Sequence, residues 1–551
     1  MSVVERGLYR ESFERDSCGF GLLVQLDDLP ARALVDSALT ALKRLTHRGA
    51  VAADGLTGDG CGLLLRAPDA FLRSAATEAG IELGARFASG LVFLPREVGR
   101  AQRCKAELVG QLERMGLSHA QWRKVPVNPI VCGAEALRSL PLIEQIYVSM
   151  PGNFVLDSFE RALYVARRKT ELALVAEHSF YVVSLSSHSF GFKGMVMPEH
   201  LASFFIDLKN PTLASSAVLF HQRFSTNTLP QWKLAHPFRV LAHNGEINSI
   251  EGNRSWMQAR GPILRSKDLD FSELQPVVSM DGSDSQSLDN MLEALLVGGL
   301  DLLTAIRVLV PPAWRDDETL STDVRAFYEY YSLPMEPWDG PAGLVMLDGR
   351  YAACALDRNG LRPARWLLTR NRLLVVASEA GVFDVAAPDV VRKGRLGPGE
   401  VLAVDFRLNE LLDTAAIDAI NSAKAPFRRW LKQNVRYLVS DLIDPSLAAE
   451  PFDAPTLARF QKLFGLSREE RDSVLKVLAE AEAEATGSMG DDTPMAVLST
   501  KPRALYDYFR QAFAQVTNPP IDSLREHRVM SLVTPLGAEG NVFELAPWST
   551  W

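Results

Sequence analysis

The sequence predicts an α+β chain in which an antiparallel-sheet domain with packed helices is followed by a smaller, mostly helical domain. Three observations carry this. Short apolar runs separated by tight-turn dipeptides recur between residues 180 and 378, the pattern of antiparallel strands. Helical periodicity takes over after about residue 410. A length of 551 residues exceeds what one hydrophobic core usually organises.

Composition narrows the class of molecule. With 47% hydrophobic and 23% charged residues the chain has an ordinary globular balance. It contains no run of about eighteen apolar residues that could span a bilayer, so no membrane partner is expected. Met1-Ser2-Val3-Val4-Glu5-Arg6 lacks the basic stretch and apolar core of a secretion signal, which predicts a cytoplasmic protein. A net charge of -8 points away from nucleic acid. Five cysteines, at 18, 61, 104, 132 and 354, include no C-x-x-C pair and argue against a disulfide framework or a zinc site. Neither a G-x-x-x-x-G-K-S/T loop nor a dinucleotide-binding glycine pattern occurs.

Taken in order, residues 1–17 are mixed and charged, and Cys18-Gly19-Phe20-Gly21-Leu22-Leu23-Val24 then reads as a buried strand with the cysteine at its entrance. Leu34, Ala38, Leu39, Leu42 and Leu45 predict a helix that stops at Gly49, with Lys43, His47 and Arg48 near its C-terminal end. Asp54-Gly55-Leu56-Thr57-Gly58-Asp59-Gly60 is too glycine-rich for an element interior, so a loop is expected. Strands are predicted at 180–185, 216–223 and 238–243, the last running into the turn dipeptide Asn244-Gly245. Leu288, Met291, Leu292, Leu295 and Leu296 share one face of a helix ending at Gly298-Gly299.

From 343 to 378 a meander is expected. It comprises Leu344 to Leu347, a turn at Asp348-Gly349, Tyr351 to Leu356, a turn at Asp357-Arg358-Asn359-Gly360, and two more apolar runs. Helices are then predicted at 426–441, 467–485 and 502–516, with Pro502 at a helix start. The change of texture puts a domain boundary near 410.

Several residues could carry chemistry, each with a plainer alternative. A lone cysteine beside an apolar strand is usually a buried thiol, and Gly19 and Gly21 fit either close approach of a ligand or a bend in the strand. Arg223, in His221-Gln222-Arg223-Phe224-Ser225-Thr226-Asn227-Thr228, could grip a carboxylate ligand with two N–H groups or simply hold its own loop. His243-Asn244-Gly245-Glu246 puts an amide and a glycine N–H at a strand end, suited to an oxyanion or to an ordinary hairpin. The acids of Asp281-Gly282-Ser283-Asp284-Ser285 could bind a ligand or cap the following helix.

Taken together these segments resemble the amidotransferase part of the glutamate synthases, which are class II glutamine amidotransferases. The resemblance runs through Cys18-Gly19-Phe20-Gly21, His47-Arg48-Gly49-Ala50, Thr57-Gly58-Asp59-Gly60, Arg223 to Thr228, His243 to Asn248 and Ser283-Asp284-Ser285. It continues through Met335-Glu336-Pro337-Trp338-Asp339-Gly340-Pro341 and Leu356-Asp357-Arg358-Asn359-Gly360-Leu361-Arg362-Pro363. Gly487 to Asp492 and Gln515 to Asp522 resemble the beginning of the family's central domain.

The resemblance implies a four-layer αββα N-terminal-nucleophile hydrolase sandwich over 18–415, preceded by a propeptide at 1–17 and followed by a smaller partial α/β central domain over 416–551. It implies hydrolysis of L-glutamine to L-glutamate and ammonia. Cys18 would be the nucleophile, Asn244 and the Gly245 N–H the oxyanion donors, Arg223 the contact for the substrate α-carboxylate, and Asp284, helped by Gly245, that for the α-ammonium. The chain itself would carry no cofactor. FMN and an iron–sulfur cluster would belong to a synthase part or a flavin-containing partner chain, since no cluster-like cysteine spacing occurs here. A catalytically silent glutamine-binding module and a free-standing amidotransferase with another ammonia acceptor are the alternatives.

Overall fold

The computed structural model describes residues 18–225, 228–437, 451–481, 485, 500, 529–531, 533–536 and 540–547. Among these the strands run, in chain order, β1 (Gly19–Gln25), β2 (Thr57–Arg66), β3 (Phe87–Leu94), β4 (Gln121–Lys124), β5 (Leu142–Ser149), β6 (Tyr181–Val182), β7 (Ser189–Val196) and β8 (Ala217–Gln222). They continue with β9 (Leu241–Gly245), β10 (Ala342–Leu347), β11 (Tyr351–Leu356), β12 (Arg365–Thr369), β13 (Leu373–Ala377), β14 (Val390–Arg395), β15 (Val401–Asp405) and β16 (Glu410–Leu412). Three antiparallel sheets result: a seven-stranded one ordered β14-β12-β13-β1-β8-β2-β7, a five-stranded one ordered β16-β15-β11-β10-β9, and a four-stranded one ordered β4-β5-β3-β6. The expected α+β class with antiparallel sheets is what the chain adopts.

Side-chain alternation along β1 explains the layering. Phe20, Leu22 and Val24 are fully buried on one face, where they meet Ala242, Val345, Cys354 and Val404 of the five-stranded sheet. Leu23 points the other way, into a cluster with Leu34, Val35, Ala38 and Leu42 of the helix Arg32–Arg44. Burial of each of these large side chains is worth about 1.5–3 kcal/mol, so the central strand is locked between a sheet and a helix. The four-stranded sheet closes its own core with the helices Val98–Arg114 and Leu156–Ala173.

The helices Leu302–Leu309 and Thr414–Ser422 are joined by a buried ion pair. Arg307 Nε donates to Asp418 Oδ1 at 3.0 Å, Nη2 to Asp418 Oδ2 at 3.2 Å, and Nη1 to the Gly399 carbonyl at 2.6 Å. Tyr328 adds its hydroxyl to Asp418 at 2.7 Å.

Several expectations need correcting. The expected loop at 54–60 contains a turn, but from Thr57 it is already β2. A register shift between Thr57 and Cys61 absorbs the glycines, and Gly60 takes φ +127°. Glycine is needed where chains crowd: a Cβ on Gly62 would lie 2.3 Å from the Phe192 carbonyl oxygen. Asn244-Gly245 is no hairpin turn; both residues end β9, and they pair with Gly343 and Ala342 of β10, almost a hundred residues downstream in the numbering. The meander divides into two hairpins, β10–β11 in one sheet and β12–β13 in the other, with Asp357–Gly360 crossing between them. Strands β3, β4 and β5 lie where the sequence pattern announces none; β3 is buried throughout, so it lacks the alternation that marks a half-exposed strand.

The chain divides into two compact units. One contains the described residues up to Arg429 and those from Pro535 to Pro547, and the other the described residues from Trp430 to Thr534. In the first, Phe543 stacks on Phe271 with ring centroids 5.4 Å apart, and the Tyr330 hydroxyl donates to the Glu544 carbonyl at 3.0 Å. In the second, the helix Ala454–Leu463 is capped by Asp453, which accepts from Thr456 N at 2.9 Å. Of the helix expected at 426–441 the described residues show Phe427–Asn434, and of the one at 467–485 helical turns from Arg468 to Ala481; 438–441 and 482–484 lie outside the described residues. The helix expected at 502–516 and the segments Gly487 to Asp492 and Gln515 to Asp522 lie outside the described residues, as do residues 1–17.

Removal of the Asp418 carboxylate would leave Arg307 charged and enclosed. We expect Asp418→Ala to lose about 3–5 kcal/mol in urea unfolding, and a loss under 1 kcal/mol would show that the ion pair is not needed.

Candidate active site

Cys18 sits one residue before the central strand of the seven-stranded sheet. β1 lies between β13 and β8, with Gly19 opposite Gln222 and Gly21 opposite Phe220. The flanking glycines serve packing: a Cβ on Gly21 would be 2.1 Å from the Phe220 ring, and one on Gly19 3.1 Å from both Arg48 Cβ and Leu45. The Cys18 sulfur lies against the backbone of Phe224, accepting from its N–H at 3.2 Å, with the carbonyl oxygen at 3.4 Å. Its own carbonyl oxygen accepts from Asn244 Nδ2 at 2.7 Å.

That last bond crosses between sheets. Asn244 is on β9, the edge of the five-stranded sheet, and its Oδ1 is buried without a hydrogen-bond partner among the described residues. Gly245 follows with φ +144°, where a Cβ would lie 1.7 Å from the Pro341 carbonyl oxygen, so only glycine fits. Glu246 N then donates to that same oxygen at 3.0 Å. The Met335–Pro341 motif thus shapes the backbone just after Asn244.

Arg223 ends β8. Its backbone N–H donates to the Gly60 carbonyl at 2.9 Å and its Nη2 to Thr228 Oγ1 at 2.6 Å, while Nη1 is buried with no partner among the described residues. Asp59 accepts from Ser225 N at 2.6 Å and so ties this loop to β2. Thr226 and Asn227 lie outside the described residues.

Asp284 opens the helix Asp284–Val297, which is capped by Ser283 accepting from Gln286 N at 3.1 Å. Its carboxylate accepts from Ile247 N at 2.8 Å, and its Oδ2 is 3.8 Å from His243 Nδ1. The same helix holds the other end of β9, because Asp289 Oδ1 accepts from Val240 N at 2.9 Å and Leu241 N at 3.2 Å.

Burial raises the Cys18 thiol pKa above its ordinary value. The Phe224 N–H, Arg223 and Arg362 oppose this, and Asp284 reinforces it. Burial likewise lifts Asp59, against the Ser225 N–H and Arg223. Arg223 is pushed below its usual value by burial, against the negative charges of Cys18, Asp59 and Asp284. Behind β9 lies a stack of buried imidazoles: His221 Nε2 is 3.0 Å from the His243 carbonyl oxygen, and the His221 and His236 rings stack at 4.4 Å. His243 N donates to His236 Nδ1 at 3.3 Å, so that ring is a neutral acceptor. Burial drives His221 down to about 3 and His236 well below its usual value.

The four other cysteines are buried; Cys61 bonds the Val196 carbonyl at 3.2 Å and Cys354 lies in the core between the two sheets. The fold therefore brings together Cys18, Asn244, Gly245, Arg223 and Asp284, from segments far apart in the chain. Asp59, Arg362 and the Phe224 N–H join them although sequence reasoning assigns them no role. Asp59 and Arg362 stand inside motifs quoted above, which is the signal that could have found them.

Residues 18–430 match the family described as glutamine amidotransferases class-II. The chain belongs to that family. Residues 459–550 of this class-II amidotransferase match the glutamate synthase central domain. It is 43% identical over 542 residues to ferredoxin-dependent glutamate synthase 2 of Synechocystis, covering 96% of this chain and 34% of the relative. It is 40% identical over 544 residues to the glutamate synthase [NADPH] large chain of Azospirillum brasilense, covering 97% and 36% respectively. The Bacillus subtilis large chain is 38% identical over 541 residues, with 98% and 35% covered. The amidotransferase thus spans about a third of the length of these relatives. No helix among the described residues is long and apolar enough to cross a membrane.

The buried imidazoles set a pH response. His221 stays neutral when folded, with a pKa near 3, but takes up a proton when unfolded below about 6.5. Its contribution is therefore complete above pH 6.5 and is lost as pH falls toward 3, by about 1.4 kcal/mol per pH unit. We expect urea-unfolding stability to decline below pH 6.5 and His221→Asn to flatten that decline by about this slope. An unchanged slope would mean that the ring is not held neutral.

Proposed function

We propose that this chain hydrolyses L-glutamine to L-glutamate and ammonia with Cys18 as an N-terminal nucleophile, after removal of residues 1–17. The supporting observation is the convergence at one point of a thiol, a strand-borne amide, a guanidinium with an unused N–H and a carboxylate. Sheet faces packed with helices outside accord with the four-layer N-terminal-nucleophile sandwich that family membership implies.

The mechanism follows from proton affinities. A half-buried thiol whose pKa desolvation has raised needs a base, and a free α-amine with a pKa of roughly 7.7–8 is suited to the task, whereas a peptide nitrogen is not. The Cys18 amine takes the thiol proton, and the sulfur pair attacks the glutamine side-chain carbonyl. The carbonyl π pair moves to oxygen, where Asn244 Nδ2 and the Gly245 N–H donate to it. Asn244 now bonds the Cys18 carbonyl, so in this step its amide turns to the substrate or shares its two protons. Collapse expels ammonia, protonated through the amine, and water then cleaves the thioester. Arg223 Nη1 pairs with the substrate α-carboxylate, and Asp284 and Gly245 hold its α-ammonium, which restricts the site to an amino acid.

The acceptor of the ammonia is proposed to be the synthase portion that the relatives carry beyond the aligned third, in the same polypeptide or a partner chain. FMN and an iron–sulfur cluster belong to that portion. The described residues form no group of three or more His, Cys, Asp or Glu suited to a metal, and no step here passes through either cofactor.

Intact mass should show a mature chain lacking 17 residues, with glutamate release abolished by Cys18→Ala; full activity in uncleaved protein would refute the reading. Asn244→Ala should lower kcat about a hundred- to a thousand-fold in protein that still unfolds cooperatively, with about 1–3 kcal/mol of stability lost with the bond to the Cys18 carbonyl, whereas a drop under tenfold would remove Asn244 from the oxyanion site.

A further inference from the structure

The segment from Asp357 to Arg362 is held by contacts that together aim one side chain. Asp357 Oδ1 accepts from Ala342 N at 2.9 Å and Asp357 N donates to the Ala342 carbonyl at 3.0 Å, which fastens the turn to the start of β10. Arg358 pairs with Asp339, its Nε 3.1 Å from Oδ1. Gly360 takes φ +60°, and a Cβ there would lie 2.7 Å from Pro398 Cα. Two residues on, Arg362 reaches the junction of the two sheets. A Cβ on Gly343 would be 3.3 Å from Arg362 Cβ and 3.0 Å from the Phe20 ring. Gly343 is the cross-strand partner of Asn244, and Phe20 is two residues from Cys18.

The other arginines of this region have anionic company. Arg48 pairs with Glu379 at 2.7 Å, Arg358 with Asp339, and Arg223 lies in the field of Asp59 and Asp284. Among the described residues Arg362 has no ion-pair partner, and its Nε is buried without a hydrogen bond. A half-buried guanidinium left so is costly unless a negative charge arrives beside it. The negative charge that arises here during the proposed reaction is on the sulfur and then on the substrate oxygen.

We propose that Arg362 is a positioning residue of the glutaminase site, whose uncompensated charge stabilises the Cys18 thiolate. The inference rests on Cys18 being the nucleophile. The charges that face the sulfur are Arg223 and Arg362, which favour the thiolate, and Asp284, which opposes it. Asp59 faces Arg223 rather than the sulfur, His243 is buried with its pKa held below the ordinary value by desolvation, and Arg48 beyond Gly19 is paired with Glu379, which also takes His47. In the step concerned, the S–H bond breaks, its proton passes to the α-amine, and the electron pair stays on sulfur.

The test reads the thiol directly. Cys18 in the purified chain is alkylated with iodoacetamide across a pH series and followed by peptide mass spectrometry. Arg362→Gln should move the alkylation midpoint up by about 0.5–1 pH unit, while Arg362→Lys, which keeps the charge, should stay near the wild type. A folded Arg362→Gln protein with an unmoved midpoint would overturn the proposal. Should Arg362→Gln melt early, Arg362→Met keeps the stem and removes the charge, and the same upward shift is required of it. The midpoint is independent of turnover: an active Cys18→Ala protein would sink the glutaminase reading, whereas an unmoved midpoint beside an inactive Cys18→Ala would sink only the role of Arg362.

Discussion

The hydrogen bond from Asn244 Nδ2 to the Cys18 carbonyl oxygen, at 2.7 Å, joins the edge of one sheet to the entrance of the central strand of another. Apolar packing between sheet faces sets their spacing but little of their register, since it has no direction. A hydrogen bond does have direction, and this one sets Cys18 against the Asn244 amide. Gly245 and the Pro341 carbonyl it crosses, where no Cβ could fit, hold the amide's own strand end in place.

Around that link one helix does two jobs. Asp284, in its first turn, accepts from Ile247 N just beyond β9, and Asp289, one turn later, accepts from Val240 and Leu241 at the beginning of β9. Both ends of a five-residue strand are thereby held by carboxylates on one rigid rod. The proposed oxyanion donors and the proposed contact for the substrate α-ammonium cannot move independently. The buried histidines behind β9 add a layer of neutral polar contacts that resists shear of the strand.

The electrostatics divide the labour. Desolvation makes the thiol a poor acid, and two guanidiniums counter it only in part. Such a sulfur ionises poorly without a base at hand, which accords with the proposed activation by its own amine. Residues 459–550 match the glutamate synthase central domain, and the longer relatives extend beyond the aligned third.

The sequence alone determined the strand at Cys18, the helix through Leu34 to Leu42, which ends at Arg44 with a separate 3₁₀ turn before the expected stop at Gly49, the helix ending at Gly298 and the hairpin about Asp348, because each is written in local periodicity and turn chemistry. It also carried the family resemblance, through motifs whose wording survives whatever the surrounding fold. Tertiary structure alone decided that Asn244-Gly245 ends a strand rather than a hairpin, that residues 343–378 serve two sheets, and that β3 exists at all. Pairing partners distant in sequence set those outcomes, and a strand buried on both faces shows no alternation. The same holds for the site. Residue types in Arg223, Asn244 and Asp284 suggested chemistry, but their approach to Cys18, and the position of Arg362 behind Gly343, depend on two sheets meeting face to face, a contact that no local pattern encodes.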